Sequence, residues 1–183
     1  MKIAVYGSAL GGITDTLNQI ARDVGREIAR RGHTIVTGAC PGLPYEAVLG
    51  AKELEGRIVG FSPAINLEEH IKRFNFPHEE FDELIYIPRD FIYHDQKGAC
   101  LKLRNVYSVA FSDAVICVSG RFGTLNEFTI AYDLGKPIGL VSGTGGAVSQ
   151  IPDLIRTFQK KSDSKIFYSD DPGYLVSRLE QTD

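Results

Sequence analysis

The chain has 183 residues, of which 43% are apolar and 23% charged, and its formal net charge is -3. This length and balance suit one globular domain with a sizeable core. The small negative charge argues against nucleic acid as a partner, because a duplex-binding surface needs an excess of cations. No stretch approaches the roughly 20 apolar residues that span a bilayer, and no signal-peptide core follows Met1. We therefore expect a soluble, cytoplasmic protein with no membrane partner.

The cysteines give no sign of a metal centre. Cys40, Cys100 and Cys117 are widely spaced, contain no CxxC pair and have no metal-ligand spacing with the four histidines. We expect three buried thiols in a reducing compartment and no metal site.

Short apolar runs alternate with segments of helical period along the whole chain. The first run, residues 3–6, stops at Gly7, and the helical stripe that follows ends at Arg30, Arg31 and Gly32. This strict alternation predicts a Rossmann-like α/β fold, a three-layer, doubly wound parallel sheet with helices on both faces. The predicted elements are a strand at 3–6, a helix along Leu17–Ile28, a strand at 34–37, a helix at 44–55, a strand at 57–61, a short helix at 66–73, a strand at 83–87, a helix at 96–111, a strand at 113–118, a helix at 124–135, a strand at 137–141, a helix at 150–161, a strand at 165–168, and a last helix that Asp171 caps with Pro172 at its first position.

No linker or repeat divides the chain, so residues 1–183 are predicted to form one nucleotide-binding domain. Residues 62–95 are its least regular part and are rich in charge and aromatic side chains. We expect a lid or a dimer surface there, and a homodimer or larger homo-oligomer. A satellite hydrophobic cluster under a long loop explains the same composition.

Glycine and small polar residues are concentrated directly after four of the predicted strands. The four loops span residues 7–12, 38–42, 119–124 and 142–146. In open parallel sheets ligands bind at the carboxyl ends of strands, where glycine lets backbone amides approach an anion. Four such loops favour a cleft for a phosphate-bearing small molecule over turns that merely need glycine. In the first two loops the candidate ligand-binding residues are Gly7, Ser8, Gly38 and Gly42.

Two common phosphate-binding motifs are absent from the first loop. Gly7 is followed by Ser8 and Ala9, which is not the GxGxxG pattern. Gly7 and Gly12 have the Walker A spacing, but Ile13 stands where the lysine belongs. A kinase-type site or a P-loop nucleoside triphosphatase is therefore excluded.

The most informative stretch joins a helix with Arg104, an apolar strand at 113–118, and Ser119-Gly-Arg-Phe-Gly-Thr-Leu-Asn-Glu127. It resembles the LOG family of cytokinin-activating phosphoribohydrolases, often labelled lysine decarboxylases, and the related molybdenum-cofactor carrier proteins. That family's signature is an arginine on a helix, an apolar strand and then PGGxGTxxE. The matching residues are Arg104, Gly120, Gly123, Thr124 and Glu127, and weaker similarity extends to residues 7–8, 38–43 and 60–63.

Three positions depart from the signature. Ser119 replaces its proline, Arg121 replaces its second glycine, and Asn105 replaces the lysine of the hydrolase branch, as in the carrier branch. The resemblance implies a phosphate site made of Asn105 and the third loop, which comprises Ser119, Gly120, Arg121, Phe122, Gly123 and Thr124.

Two functions remain open at this point. In a phosphoribohydrolase that cleaves the N-glycosidic bond of a nucleoside 5′-monophosphate, Arg104 and Glu127 are the catalytic residues and no cofactor is required. In a non-catalytic carrier or sensor, the same cleft holds an AMP-like nucleotide or a pterin cofactor.

Arg104 and Glu127 also have plain structural explanations. Thr124-x-x-Glu127 has the spacing of a capping box, and an arginine on a helix is by default solvated. Against this, the eight residues from Ser112 back to Arg104 climb roughly 12 Å along the helix, and the six-residue strand that follows climbs roughly 20 Å in the same direction. A long arginine side chain covers most of the difference between these two heights. We therefore expect Arg104 to reach the sheet edge where the helix of Glu127 begins.

Overall fold

The computed structural model describes residues 1–182 and contains every predicted strand and helix. Boundaries differ most at the last-but-one helix, which begins at Gly146 rather than at residue 150, and the helix of Glu127 begins two residues earlier than predicted. The elements are β1 (Lys2–Gly7), α1 (Asp15–Arg30), β2 (Thr34–Thr37), α2 (Leu43–Lys52), β3 (Ile58–Ser62), α3 (Leu67–Lys72), β4 (Glu83–Tyr86), α4 (Lys97–Phe111), β5 (Ala114–Val118), α5 (Phe122–Asp133), β6 (Ile138–Val141), α6 (Gly146–Phe158), β7 (Ile166–Ser169) and α7 (Pro172–Glu180).

All seven strands belong to one parallel sheet with the order β4-β3-β2-β1-β5-β6-β7. The chain builds outward from β1 in one direction, then returns to place β5 on the other side of β1. This reversal of strand order opens a crevice beyond the carboxyl ends of β1 and β5. The predicted doubly wound α/β fold is confirmed.

Alternate residues of each strand enter different cores, as the two-residue period of a strand requires. Ile3 and Val5 of β1 pack with α1, α2 and α7, whereas Ala4 and Tyr6 pack with α4, α5 and α6. The sheet is therefore covered on both faces, which explains why its central strands are almost wholly apolar.

Local side-chain signals set several helix ends, and the start of α7 is the predicted one. The Thr14 side chain accepts a hydrogen bond from the Leu17 amide at the start of α1. Asp171 caps α7 by accepting from the Gly173 amide at 2.8 Å, with Pro172 in the first position. Within residues 1–182 no helix is long and apolar enough to cross a membrane.

The 62–95 segment contains α3 and β4 and is tied to α4 by polar contacts. Glu69 accepts hydrogen bonds from the Ile65 amide, Arg73 and His94, and the Cys100 thiol donates to the His94 carbonyl oxygen. Burial opposes ionisation of Glu69, but these donors prevail and lower its pKa to about 2. The role of the 62–95 segment as a lid or as a dimer surface stays a prediction.

A candidate ligand cleft at the switch point

A cleft of about 230 Å³ opens where the loops after β1 and β5 face the first half of α4. This is the crevice that the strand order creates. Thirteen residues line it: Gly7, Ser8, Ala9, Cys40, Gly98, Leu101, Lys102, Arg104, Asn105, Arg121, Gly123, Thr124 and Glu127.

Arg104 lies at the bottom of the cleft and is only 6% exposed. Its guanidinium passes over Gly38, where a Cβ atom would lie 1.4 Å from Nη1. Among the described residues the buried Nε has no hydrogen-bond partner. The default of a solvated helix arginine is therefore wrong, because the missing side chain at Gly38 gives this cation a buried place.

Glu127 faces Arg104 across the cleft, with Oε1 3.4 Å from Nη1, and is also only 6% exposed. Arg104 thus reaches the sheet edge at the helix of Glu127, as expected. Burial raises the pKa of Glu127 to about 7, although Arg104 and Lys102 act in the opposite direction. A carboxyl group with this pKa can take up or release a proton near neutral pH.

Asn105 holds Glu127 from the side. With its amide nitrogen turned toward Glu127, Asn105 donates to Oε1 at 3.1 Å and to the Leu101 carbonyl oxygen at 3.0 Å. Deeper in the core, the Tyr6 hydroxyl donates to Ser108 Oγ at 2.8 Å, and Ser108 donates to the Asn105 carbonyl oxygen. The carboxylate therefore has a fixed orientation.

Glu127 does not belong to a capping box. The N-cap of α5 is Arg121, its first helical residue is Phe122, and no side chain caps this end. Thr124 is thus the third helical residue, and Glu127 lies almost a turn further along. The helix starts early because the chain turns sharply at Ser119 (φ +55°) and Gly120 (φ +98°).

The fourth glycine-rich loop supports the third one. Thr144 Oγ1 accepts a hydrogen bond from the Ser119 amide at 2.8 Å and donates to the Val141 carbonyl oxygen. The Ala147 amide at the start of α6 donates to the Gly120 carbonyl oxygen at 2.7 Å. The four loops follow neighbouring parallel strands at one sheet edge, as predicted, but only the first three contribute to the cleft.

Eight of the thirteen candidate residues line the cleft, and five surround it. Gly42 (φ +80°) is the N-cap of α2, and a Cβ there would lie 2.4 Å from the Ser8 carbonyl oxygen. Phe122 points outward and is 86% exposed. Gly38, Ser119 and Gly120 lie behind the lining, where they shape the backbone and make room for Arg104.

Sequence reasoning missed five lining residues: Ala9, Cys40, Gly98, Leu101 and Lys102. Four of the lining residues on α4, at positions 98, 101, 102 and 105, share one helix face, a spacing that was visible in the sequence. Cys40 lies in the second glycine-rich loop, and burial raises the pKa of its thiol to about 11.

The sheet order and the cleft define an α/β protein with a ligand crevice at a topological switch point. Within this class, residues 1–176 match the model of the SLOG cluster4 family, and the chain belongs to this family. The finer resemblance to the LOG phosphoribohydrolases stays a prediction.

Individual relatives agree with this assignment. The chain is 30% identical over 138 residues to an uncharacterized protein of Archaeoglobus fulgidus, which covers 75% of this chain and 78% of that protein. The crystal structure of TM1055 superposes with a TM-score of 0.79 at 22% identity over 98% of both chains. The molybdenum cofactor binding protein of Rippkaea orientalis superposes with a TM-score of 0.74 at 22% identity, over 98% of this chain and 95% of that one. At these identities the superpositions establish a common fold.

Proposed function

We propose that the protein binds a phosphate-bearing, nucleotide-type small molecule in the cleft between β1 and β5. The observation that carries this proposal is the Arg104 side chain, which is buried at the bottom of the cleft with Nε lacking a partner among the described residues. A buried donor on a cation is costly to leave unsatisfied, and a phosphate oxygen supplies the missing acceptor.

The surroundings of Arg104 fit the same ligand. The uncapped start of α5 presents Gly123 to the cleft, and a helix amino end attracts anions through its free amides. Gly7 and Ser8 of the first loop also line the cleft. The phosphate end of a nucleotide therefore finds charge, amides and space within one small volume.

One observation favours catalysis as a second candidate function. Glu127 is a buried carboxyl group beside the cleft with its pKa raised to about 7. In N-glycosidic cleavage, ionised Glu127 would orient the attacking water or stabilise the oxocarbenium-like centre, while Arg104 would hold the phosphate or ribose. Asn105, which stands where the hydrolase branch has a lysine, instead favours the carrier alternative, as does the fold shared with a protein named for binding molybdenum cofactor.

Ligand binding is tested by thermal unfolding with AMP, GMP and related nucleotides at millimolar concentration. A ligand at a hundredfold excess over its dissociation constant stabilises the fold by about 2.7 kcal/mol, which raises the Tm of a domain of this size by about 5 °C or more. Arg104→Gln should abolish the shift, whereas Arg156→Gln, at an exposed site of α6 that does not line the cleft, should leave it intact.

Nucleotides that bind are then incubated with the protein, and free base is measured. Release by the parent and its loss in Glu127→Gln at unchanged affinity supports the hydrolase. Binding without base release supports the carrier or sensor. No stabilisation by any phosphate ligand, or an equal shift in Arg104→Gln, contradicts the proposal.

A further inference from the structure

Arg121 stands where the related signature has a glycine, and its side chain lies across the mouth of the cleft. Its Nη1 atom is 3.5 Å from the position that a Cβ atom would take on Gly11 in the first loop. Arg121 is exposed, and within residues 1–182 neither an ion pair nor a hydrogen bond holds its guanidinium. The cation therefore bridges the first and third loops without a structural partner.

The cleft thus has cations at two levels. Arg104 lies at the bottom, against Gly38, and Arg121 lies at the mouth, against Gly11. Lys102 is the third cation of the lining, and Glu127 is its one carboxylate. With Glu127 ionised, the lining keeps a net charge of +2, which suits a ligand with at least two negative charges.

The cleft is too small to enclose a whole nucleotide, so a bound ligand would extend from Arg104 at the bottom to Arg121 at the mouth. Its volume of about 230 Å³ is below the roughly 300–1,000 Å³ of pockets that enclose a whole drug-sized ligand. One end of a nucleotide fits inside, and the remainder must pass the mouth, where Arg121 lies. A second anionic group on the ligand would meet this guanidinium on leaving the cleft.

We infer that Arg104 binds one phosphate inside the cleft and Arg121 binds a second at its mouth, so that the protein prefers diphosphate ligands of the nucleoside diphosphate class. The inference rests on the proposed function, because it assigns the charge of the ligand in that same cleft. Two planar guanidinium groups can each bind a phosphate through paired hydrogen bonds, which a monophosphate can satisfy only once.

Calorimetric titration with AMP and ADP, in EDTA to exclude metal complexes, tests the preference. The parent should bind ADP about tenfold or more tightly than AMP. Arg121→Gln, and Arg121→Gly, which restores the signature residue, should each weaken ADP binding about tenfold and change AMP binding less than threefold. Arg156→Gln should change neither affinity.

The same titrations with inorganic pyrophosphate and inorganic phosphate compare a diphosphate with a monophosphate in the absence of a base. Equal affinity for AMP and ADP, or an equal loss of both in the Arg121 variants, overturns the inference and leaves phosphate binding in place. Tight pyrophosphate binding that depends on Arg121, with no binding of either adenine nucleotide, supports the diphosphate site and contradicts an adenine nucleotide as the ligand. No binding of any phosphate overturns the proposed function together with the inference.

Discussion

Charged side chains are arranged in opposite ways on the outer face of α1 and in the cleft. On α1 and at its C-cap, arginines pair with carboxylates at neighbouring helices: Arg26 with Glu53, the C-cap of α2, at 2.6 Å, and the C-cap residue Arg31 with Glu180 of α7 at 2.8 Å. These side chains are partly exposed, and each cation there has an acceptor. Such pairs position helices that already pack through apolar contacts.

In the cleft the cations exceed their acceptors. Arg104 has one carboxylate at 3.4 Å and a buried Nε with no partner in the described chain, while Arg121 and Lys102 have no acceptor there. Burial also raises the pKa of Glu127, so its charge is only partly available. Charge on α1 is therefore paired within the fold, whereas charge in the cleft is available to the proposed ligand.

The glycines of the two regions have different neighbours: Gly25 of α1 lies against the backbone of α2, whereas Gly38 beside the cleft lies against the Arg104 side chain. Gly25→Ala therefore gives the largest expected effect. A Cβ on Gly25 would lie 1.9 Å from the Ala47 carbonyl oxygen, so the backbones of α1 and α2 must separate. We expect a loss of about 3 kcal/mol in the free energy of unfolding, measured by urea denaturation. Ligand affinity of the folded protein should stay unchanged; a loss below about 1 kcal/mol would mean that the two helices separate easily.

The free energy of unfolding should also depend on pH in opposite ways for a carboxyl group in the cleft and for one paired with α1. Because the pKa of Glu127 is raised to about 7 in the folded state, the folded protein binds more protons than the unfolded chain between about pH 4.5 and 7. Its contribution to stability therefore falls as pH rises through this window and is constant above it. Glu127→Gln removes this fall, so its stability relative to the parent should increase by about 2–3 kcal/mol from pH 4.5 to 7.5.

Glu53→Gln is the matched control for this measurement. Hydrogen bonds from Arg26 lower the pKa of the exposed Glu53, so its contribution is present at neutral pH and is lost as pH falls. The two glutamine variants should therefore change the pH profile in opposite directions. Because the Glu53 effect appears only below about pH 4.5, urea denaturation from about pH 3 to 7.5 measures both, and a flat difference curve for Glu127→Gln above pH 4.5 would show that Glu127 titrates normally.

Gly38→Ala has a smaller expected effect, and on binding rather than on the fold. Its new Cβ meets the tip of Arg104, a flexible side chain that can move, instead of backbone. We expect little change in the free energy of unfolding and about a tenfold loss of phosphate-ligand affinity, or about 1.4 kcal/mol. Titration of both variants with the phosphate ligand measures this difference between Gly38→Ala and Gly25→Ala. Affinity equal to that of the parent in Gly38→Ala would contradict it.

The fold was predictable because its signals are local. Alternating apolar runs predicted the strands, and Asp171 with Pro172 predicted the start of α7. The starts of α5 and α6 were not predictable, because they depend on contacts between distant loops, such as the Ser119 amide with Thr144. The Gly120 carbonyl oxygen satisfies the Ala147 amide at the start of α6, whereas the turn at Ser119 and Gly120 sets the start of α5, and no local pattern records either one.

The cleft was predictable in part. The signature spacing gave Arg104 and Glu127, whose meeting the structure confirms. The burial of Arg104 depends on the absence of a side chain at Gly38, far away in the chain, so composition and period could not predict it. Lys102 was missed because its spacing with positions 98, 101 and 105 shows only a shared helix face, and tertiary packing decides that this face of α4 lines the cleft.

The smallest expected effect is that of Arg26→Gln on the α1 surface. Although Arg26 makes short contacts with Asp23 and Glu53, water screens a partly exposed pair, and ordering two long side chains offsets most of the attraction. We expect a loss below about 1 kcal/mol, hence less than about 4 °C in Tm, that shrinks further in 1 M salt. Thermal unfolding at low and high salt measures it, with ligand titration alongside. A loss above about 2 kcal/mol, or any change in phosphate-ligand affinity, would show that paired surface charge and unpaired cleft charge are not separate in this molecule.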